Sequence, residues 1–226
     1  MEPSRLISLI HRHTPFKVLE YRLLLEGWDN VVLLANGSHV FRFTRRPDVS
    51  EQLMKEVQLL PTLSKHLTLR VPVPEYTWMN GPLPHFMGYR LIPGEQLRAS
   101  HLVGSDSGRI VSGLVLFLTQ LQGVPLGEAG DLAPRYIGGE WRGLYLGLRE
   151  EVERLVAPRL STEAALGLLG DFDGYIGEPA NFKFSPCLIH HDLNSDYILH
   201  DPATGSLTGV IAVSYTHLTL PTNREV

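Results

Sequence analysis

The dipeptide Asn36-Gly37 leaves few options for the chain around it. Both residue types accept positive φ, so together they favour a tight hairpin turn. Short strand-like runs flank them at residues 31–35 and 38–43, and a further strand is expected over residues 17–25. Glu26-Gly27-Trp28-Asp29-Asn30 breaks that strand from the next, so two hairpins follow one another. On the third strand the period of two puts Val40 and Arg42 on one face, and Phe41 and Phe43 on the other. Ahead of the sheet, Pro3 and Ser4 open a short helix with Leu6, Ile7 and Ile10 on one side. Behind it, Asp48-Val49-Ser50-Glu51 has the capping-box pattern, and Leu53, Val57 and Leu60 stripe the helix it would open. Glu56 falls on that stripe. A carboxylate on an inward face needs a cation beside it, and Arg42 is the candidate.

Val71-Pro72-Val73-Pro74 is a stiff extended connector, and residues 86–92 read as a strand ending at Pro93-Gly94. Beyond it the pattern turns helical. Ile110, Leu114, Phe117, Leu118 and Leu121 keep helical spacing, with Val111, Val115 and Leu116 on other faces, as in a helix buried all round. Trp141, Leu144, Tyr145, Leu148, Val152, Leu155 and Val156 form a second stripe, and Ser161 is placed to cap a helix through Leu169. A polar loop, residues 188–196, then leads into a hairpin: Asp201-Pro202 and Thr204-Gly205 are turn formers between apolar runs at 197–199 and 207–211. That hairpin would bring Asp192 near position 212, which is alanine.

At 226 residues, 43% of them hydrophobic, the chain has enough material for one large domain or two small lobes. A net charge of −4 offers no nucleic-acid surface. The single cysteine, Cys187, excludes an internal disulfide and points to a reducing compartment. No run of about 18 apolar residues is present for a membrane span, and the first residues lack a signal-peptide core. The expectation is a soluble cytoplasmic protein.

His190-His191-Asp192 resembles the catalytic loop of the aminoglycoside phosphotransferase family, which has a protein-kinase-like fold. In that family His, any residue and Asp are followed, after four residues, by Asn or His; here Tyr197 stands in that place. Residues 26–34 and 39–43 resemble the nucleotide loop and third strand of its 2″-type members, and residues 90–95 its interlobe hinge. The resemblance implies an α+β fold in two lobes: an antiparallel sheet plus helix over residues 1–92, and a mainly helical, incomplete lobe over 93–212 with the catalytic loop. It implies a phosphotransferase moving the γ-phosphoryl group of ATP or GTP to a hydroxyl of a small, aminoglycoside-like acceptor. Asp192 would be the catalytic residue, orienting the hydroxyl and accepting its proton, and His190 would brace the loop. Gly27, Arg42, Glu56, Arg90 and Ile92 would bind the nucleotide, Arg42 holding the place of a phosphate-binding lysine and Glu56 that of its helix partner. Arginine brings a planar fork where lysine brings a point charge. The family uses Mg2+, but Ala212 stands where its metal-binding Asp is expected, and a phenol such as Tyr197 is a poor ligand at neutral pH. No metal ligand is therefore assigned.

Residues 213–222 resemble a translated sequencing-library adapter, which makes 213–226 a foreign tail and the chain a fragment expected to be inactive. Two other readings follow from the same residues. Arg42, Tyr197 and Ala212 together suit a non-catalytic nucleotide-binding protein on the same scaffold. His190, His191, Asp192 and His200 could suggest a metal hydrolase, although adjacent histidines in an extended segment point to opposite sides.

Overall fold

A computed structural model describes residues 2–25, 29–82, 84–98, 107–130, 138–190 and 192–211. Gly27, His191, Ala212 and the tail from 213, all singled out above, lie outside the described residues.

Helix α1 (Pro3–His13) is followed by strands β1 (Tyr21–Leu24), β2 (Asn30–Ala35) and β3 (His39–Thr44). Asn36 and Gly37 take φ of 52° and 58°, and Ser38 N–H closes the turn onto Ala35 O at 3.0 Å. The Asn36 side chain reaches back: Oδ1 accepts from Leu19 and Glu20 N–H at 2.8 and 3.2 Å, and Nδ2 donates to Lys17 O at 2.8 Å. Those contacts hold residues 17–20, so the ladder begins at Tyr21 rather than at residue 17 as expected.

Helix α2 (Pro47–Leu63) precedes β4 (Tyr76–Trp78) and β5 (Phe86–Arg90). The sheet is antiparallel in the order β1-β2-β3-β5-β4. The period of two holds as read from β3: Phe41 and Phe43 pack with Val31, Leu33, Ala35 and Phe86 against Leu6 and Ile10 of α1. Gly88 lies beside Phe41 because a Cβ there would run into that ring. The capping box does not form. Pro47 starts the helix one residue early, with its fixed φ suited to a first turn, and Asp48 receives Arg46 Nε at 3.2 Å.

After the hinge come β6 (Glu95–Gln96), α3 (Ser107–Gln122) and the short α4 (Leu126–Ala129). The hairpin of β7 (Ile198–His200) and β8 (Leu207–Val210) pairs with β6 through β7. Arg70 joins it to the upper segment, since Arg70 O accepts from Val210 N–H at 2.9 Å. A Cβ on the intervening Gly209 would lie 2.7 Å from that same oxygen, so the approach requires glycine. On α3, Ile110, Phe117 and Leu121 are buried, but Val111, Val115 and Leu116 are about half exposed. The all-round burial expected for this helix is not found: its spacing identified the packed face, which Leu114 extends as a partly buried residue, while Val111, Val115 and Leu116 remain about half exposed.

Compactness groups Met1–Ala133 with Ile189–Thr216 in one unit, which therefore holds both sides of the boundary expected at residue 92. The second unit contains α5 (Gly138–Leu155) and α6 (Thr162–Gly177), each two turns or more beyond a minimal helix. Ser161 caps α6 by accepting from Ala164 N–H at 3.3 Å, and the helix continues past Leu169 to Gly177. Arg149 of α5 forks onto Asp173 of α6 at 2.6 and 3.1 Å.

Candidate nucleotide cleft

Within the first unit the other face of the sheet borders a cavity of about 430 Å³. Val32 and Val40 line it from the strands, Leu91 and Ile92 from the hinge, and Leu199 and Ile211 from the β7–β8 side. This is an apolar slot suited to a planar ring. Its polar end carries Asp29, Asn30, Arg42, Glu56, Asp192 and Tyr197.

Arg42 points into the cleft from β3, opposite to Phe41 and Phe43. Its Nη1 and Nη2 donate to Glu56 Oε2 and Oε1 at 2.6 and 3.2 Å, the pairing expected from their shared inward faces. The pair is nearly dry, with side chains 12% and 3% exposed. Burial, the largest single influence, lowers the Arg42 pKa, but the charge and hydrogen bond of Glu56 together with the Tyr89 and Tyr197 phenols outweigh it and the pKa is raised. The guanidinium stays charged, and two of its five N–H donors are engaged with Glu56, which leaves others for a ligand.

Asp192 is exposed at the same cleft. Its loop is held by His190, which is buried and whose Nε2 faces Ile211 O at 3.4 Å. Desolvation lowers the His190 pKa, so the neutral ring donates to that carbonyl from Nε2. Ile211 N–H in turn donates to Tyr197 O at 2.8 Å. These bonds bring Asp192 and Ile211, the residue before position 212, to one cleft, as the hairpin geometry had suggested.

Of the other expected nucleotide residues, Ile92 lines the cleft and is buried. Arg90 does not line it: its Nε donates to Glu75 Oε1 at 2.7 Å, and its side chain is 78% exposed. Only its backbone, paired with His39 in the β3–β5 ladder, fixes where the hinge begins. Tyr89 was not anticipated. It is the register partner of Val40, buried beside Arg42, and burial pushes its phenol up to about 12. The parity of β5 carried that signal, since Phe86 faces the core and Tyr89 three residues on must face the opposite side. Asn30 was also missed. Its Oδ1 is buried at the cleft with no partner among the described residues.

Among the described residues the donor set does not fit a magnesium site. Asp29 receives Arg46 Nη2 at 2.8 Å and Glu56 receives Arg42, which leaves Asp192 beside the Tyr197 phenol. Among the described residues no group of three or more His, Cys, Asp or Glu could hold a metal ion. The hydrolase reading meets the same obstacle: His190 faces Ile211 O, while His200 Nδ1 faces Glu95 O at 3.0 Å on another strand.

The model of the phosphotransferase enzyme family matches residues 20–211. No curated protein sequence matches. Among solved structures, the GDP complex of a wild-type aminoglycoside 2′-phosphotransferase of type IIIa is 27% identical, with a TM-score of 0.86 over 97% of this chain and 75% of its own. The GDP and kanamycin complex of a 2″ enzyme of the same type is also 27% identical, with a TM-score of 0.82 over 94% of this chain and 74% of its own. A macrolide 2′-phosphotransferase from Brachybacterium faecium, 20% identical, shares the fold at a TM-score of 0.71 over 95% of this chain and 73% of its own.

Proposed function

The chain belongs to the phosphotransferase enzyme family, and from that premise we propose that its cleft takes ATP or GTP and directs the γ-phosphoryl group to a hydroxyl of an aminoglycoside-like acceptor. The apolar slot would hold the base beside Ile92, and the free N–H groups of Arg42 would meet phosphate oxygens. Glu56 keeps the Arg42 fork in place, while His190 positions the loop that carries Asp192. In the transfer, the acceptor oxygen bonds to Pγ as the bridging Pγ–O bond breaks. The nucleoside diphosphate leaves, and Asp192 takes the hydroxyl proton. The relatives' complexes with GDP and kanamycin support the ligand classes. A reducing cytoplasmic location is consistent with the single cysteine.

The observation that carries this reading is one cleft holding an exposed Asp192 together with the dry Arg42–Glu56 fork. The sequence as it stands favours little or no turnover, because Ala212 offers no carboxylate. That absence also supports the alternative of nucleotide binding without turnover. The test is transfer of labelled γ-phosphate to kanamycin and a panel of related amino sugars. Asp192→Ala should cut any transfer by about a hundredfold or more while leaving nucleotide affinity unchanged. An equal rate in that variant rejects Asp192 as the base, and binding with no transfer in the parent chain selects the alternative.

A further inference from the structure

The Arg90 side chain and the extended connector at residues 71–74 take no part in the nucleotide cleft. Arg90, Val71 and Val73 instead border a second cavity of about 510 Å³, a volume within the range of small-ligand sites. Leu91 and Ile92 of the hinge line both cavities, and no other described residue does. Three residues of the second cavity, Leu67, Val71 and Ile92, are buried and give it an apolar wall.

Its charged residues are Arg70, Arg90 and Glu75. Glu75 is already engaged: Oε1 receives Arg90 Nε at 2.7 Å, and Oε2 faces His39 Nε2 at 3.2 Å. Arg90 uses only Nε in that pair, so its two Nη groups have no hydrogen bond among the described residues. The Arg70 side chain has no hydrogen bond or ion pair among them at all. Its backbone, by contrast, is pinned: Arg70 N–H donates to Thr208 O at 3.4 Å, and Arg70 O accepts from Val210 N–H at 2.9 Å. The lining hydroxyls are committed elsewhere, Ser64 Oγ to Pro61 O at 2.9 Å and Thr68 Oγ1 to Gln120 Oε1 at 3.1 Å. The guanidinium groups are therefore the free side-chain donors of this cavity, and the charge of Arg70 is uncompensated.

We infer that this cavity binds a small organic oxyanion, a carboxylate or a phosphate monoester, whose apolar body lies against Leu67, Val71 and Ile92 while Arg70 and Arg90 donate to its oxygens. A cation would meet the uncompensated Arg70 charge, and a neutral apolar ligand would leave the guanidinium donors unused. A guanidinium fork matches the oxygens of a carboxylate or a phosphate equally well. The site is separate from the nucleotide cleft and does not rest on the nucleotide reading.

The test is a ligand-observed NMR titration of the 226-residue chain with phenylacetate and phenyl phosphate. At least one should bind with a Kd of about 1 mM or tighter. Tighter binding of phenylacetate assigns the carboxylate, and tighter binding of phenyl phosphate the phosphate monoester. Acetate and inorganic phosphate, which lack the apolar body, should bind about tenfold more weakly or worse. Arg70→Gln and Arg90→Gln should each weaken the phenyl probe about fivefold, and together about twentyfold or more, with urea midpoints unchanged. Arg5→Gln, at an exposed arginine of α1 outside the cavity, should change nothing. Excess ATP should leave the probe bound. The inference is overturned if neither phenyl probe binds, if acetate binds as well as phenylacetate, or if the double variant keeps full affinity. Displacement of the probe by ATP also overturns it, by placing the probe in the nucleotide cleft, and leaves the nucleotide reading intact. Failure of ATP to bind counts against the nucleotide reading alone, since the arginine variants still decide this one.

Discussion

Arg42 and Glu56 show how one residue can be tied to another before any fold is known. Each was inward by periodicity, and each would have been costly alone. Removing one partner leaves a buried charge unpaired, so Arg42→Met or Glu56→Leu should each cost roughly 3–5 kcal/mol, whereas the double variant should recover much of the loss. Urea titration of the cycle measures this, and single-variant losses under about 1 kcal/mol would show that water reaches the pair. His190 gives a second prediction, with a definite sign. Its folded pKa lies below the unfolded value of about 6.5, so below that pH the unfolded chain takes up a proton that the folded chain refuses. Stability attributable to the neutral ring is fully present above about pH 6.5 and is lost as pH falls through the window down to the folded pKa. Stability measured between pH 7.5 and about 5 should fall in the parent chain and fall less in His190→Asn. Equal slopes would mean that the ring is solvated in the folded state.

At the scale of elements, glycine separates conformational need from packing need. Gly37 has φ +58° and open space around a Cβ, whereas Gly94 has φ +128° and would place a Cβ 2.8 Å from His200 O and 2.5 Å from Thr208 Oγ1. Gly37→Ala should therefore cost about 1 kcal/mol, for the positive φ alone. Gly94→Ala should cost roughly 2 kcal/mol or more, because the backbone of β7 cannot retreat without breaking its pairing with β6. Matching losses in denaturant midpoint would mean that the two hairpins approach less closely than described. The same contrast explains what could be read in advance. Asn36-Gly37, the alternation through β3 and the apolar face of α1 are local signals, and they placed the sheet and its two faces correctly. The Arg42–Glu56 pair followed from those faces. The early start of α2 depended on Pro47 prevailing over the capping pattern at Asp48, a competition that local rules do not decide. Strand β4 is three residues long and follows a proline-rich connector, so it had no periodicity to show. The Arg90 side chain could equally have turned into the cleft; its attachment to Glu75 depends on β4 and β5 being neighbours.

For the molecule as a whole, burial is unevenly divided between the two units. Strands β2, β3 and β5 bury Val31, Leu33, Phe41, Phe43 and Phe86 completely, and each such side chain contributes about 1.5–3 kcal/mol. In the second unit α5 buries none of its described side chains, and α6 buries only Ile176. Leu144, Leu148 and Leu166 are 47%, 45% and 67% exposed. Contacts joining α5 to α6 include the Arg149–Asp173 fork, in which Asp173 is 58% exposed, and the tilted Tyr145–Tyr175 ring contact at 4.7 Å. An exposed ion pair contributes at most about 1 kcal/mol, and an aromatic pair a similar amount. Isolated helices of this length are marginal in water, so this unit should open far more readily than the sheet. Native-state hydrogen exchange should show amides of α5 and α6 exchanging through openings of a few kcal/mol, while those of β2, β3 and β5 exchange only with global unfolding. Denaturation followed by far-ultraviolet circular dichroism should then show two stages, the helical signal falling first. Arg149→Ala should advance the first stage and leave the second unmoved. If all these amides exchange at one common free energy, the two units unfold cooperatively and the weakly buried helices must gain stability from contacts beyond those described.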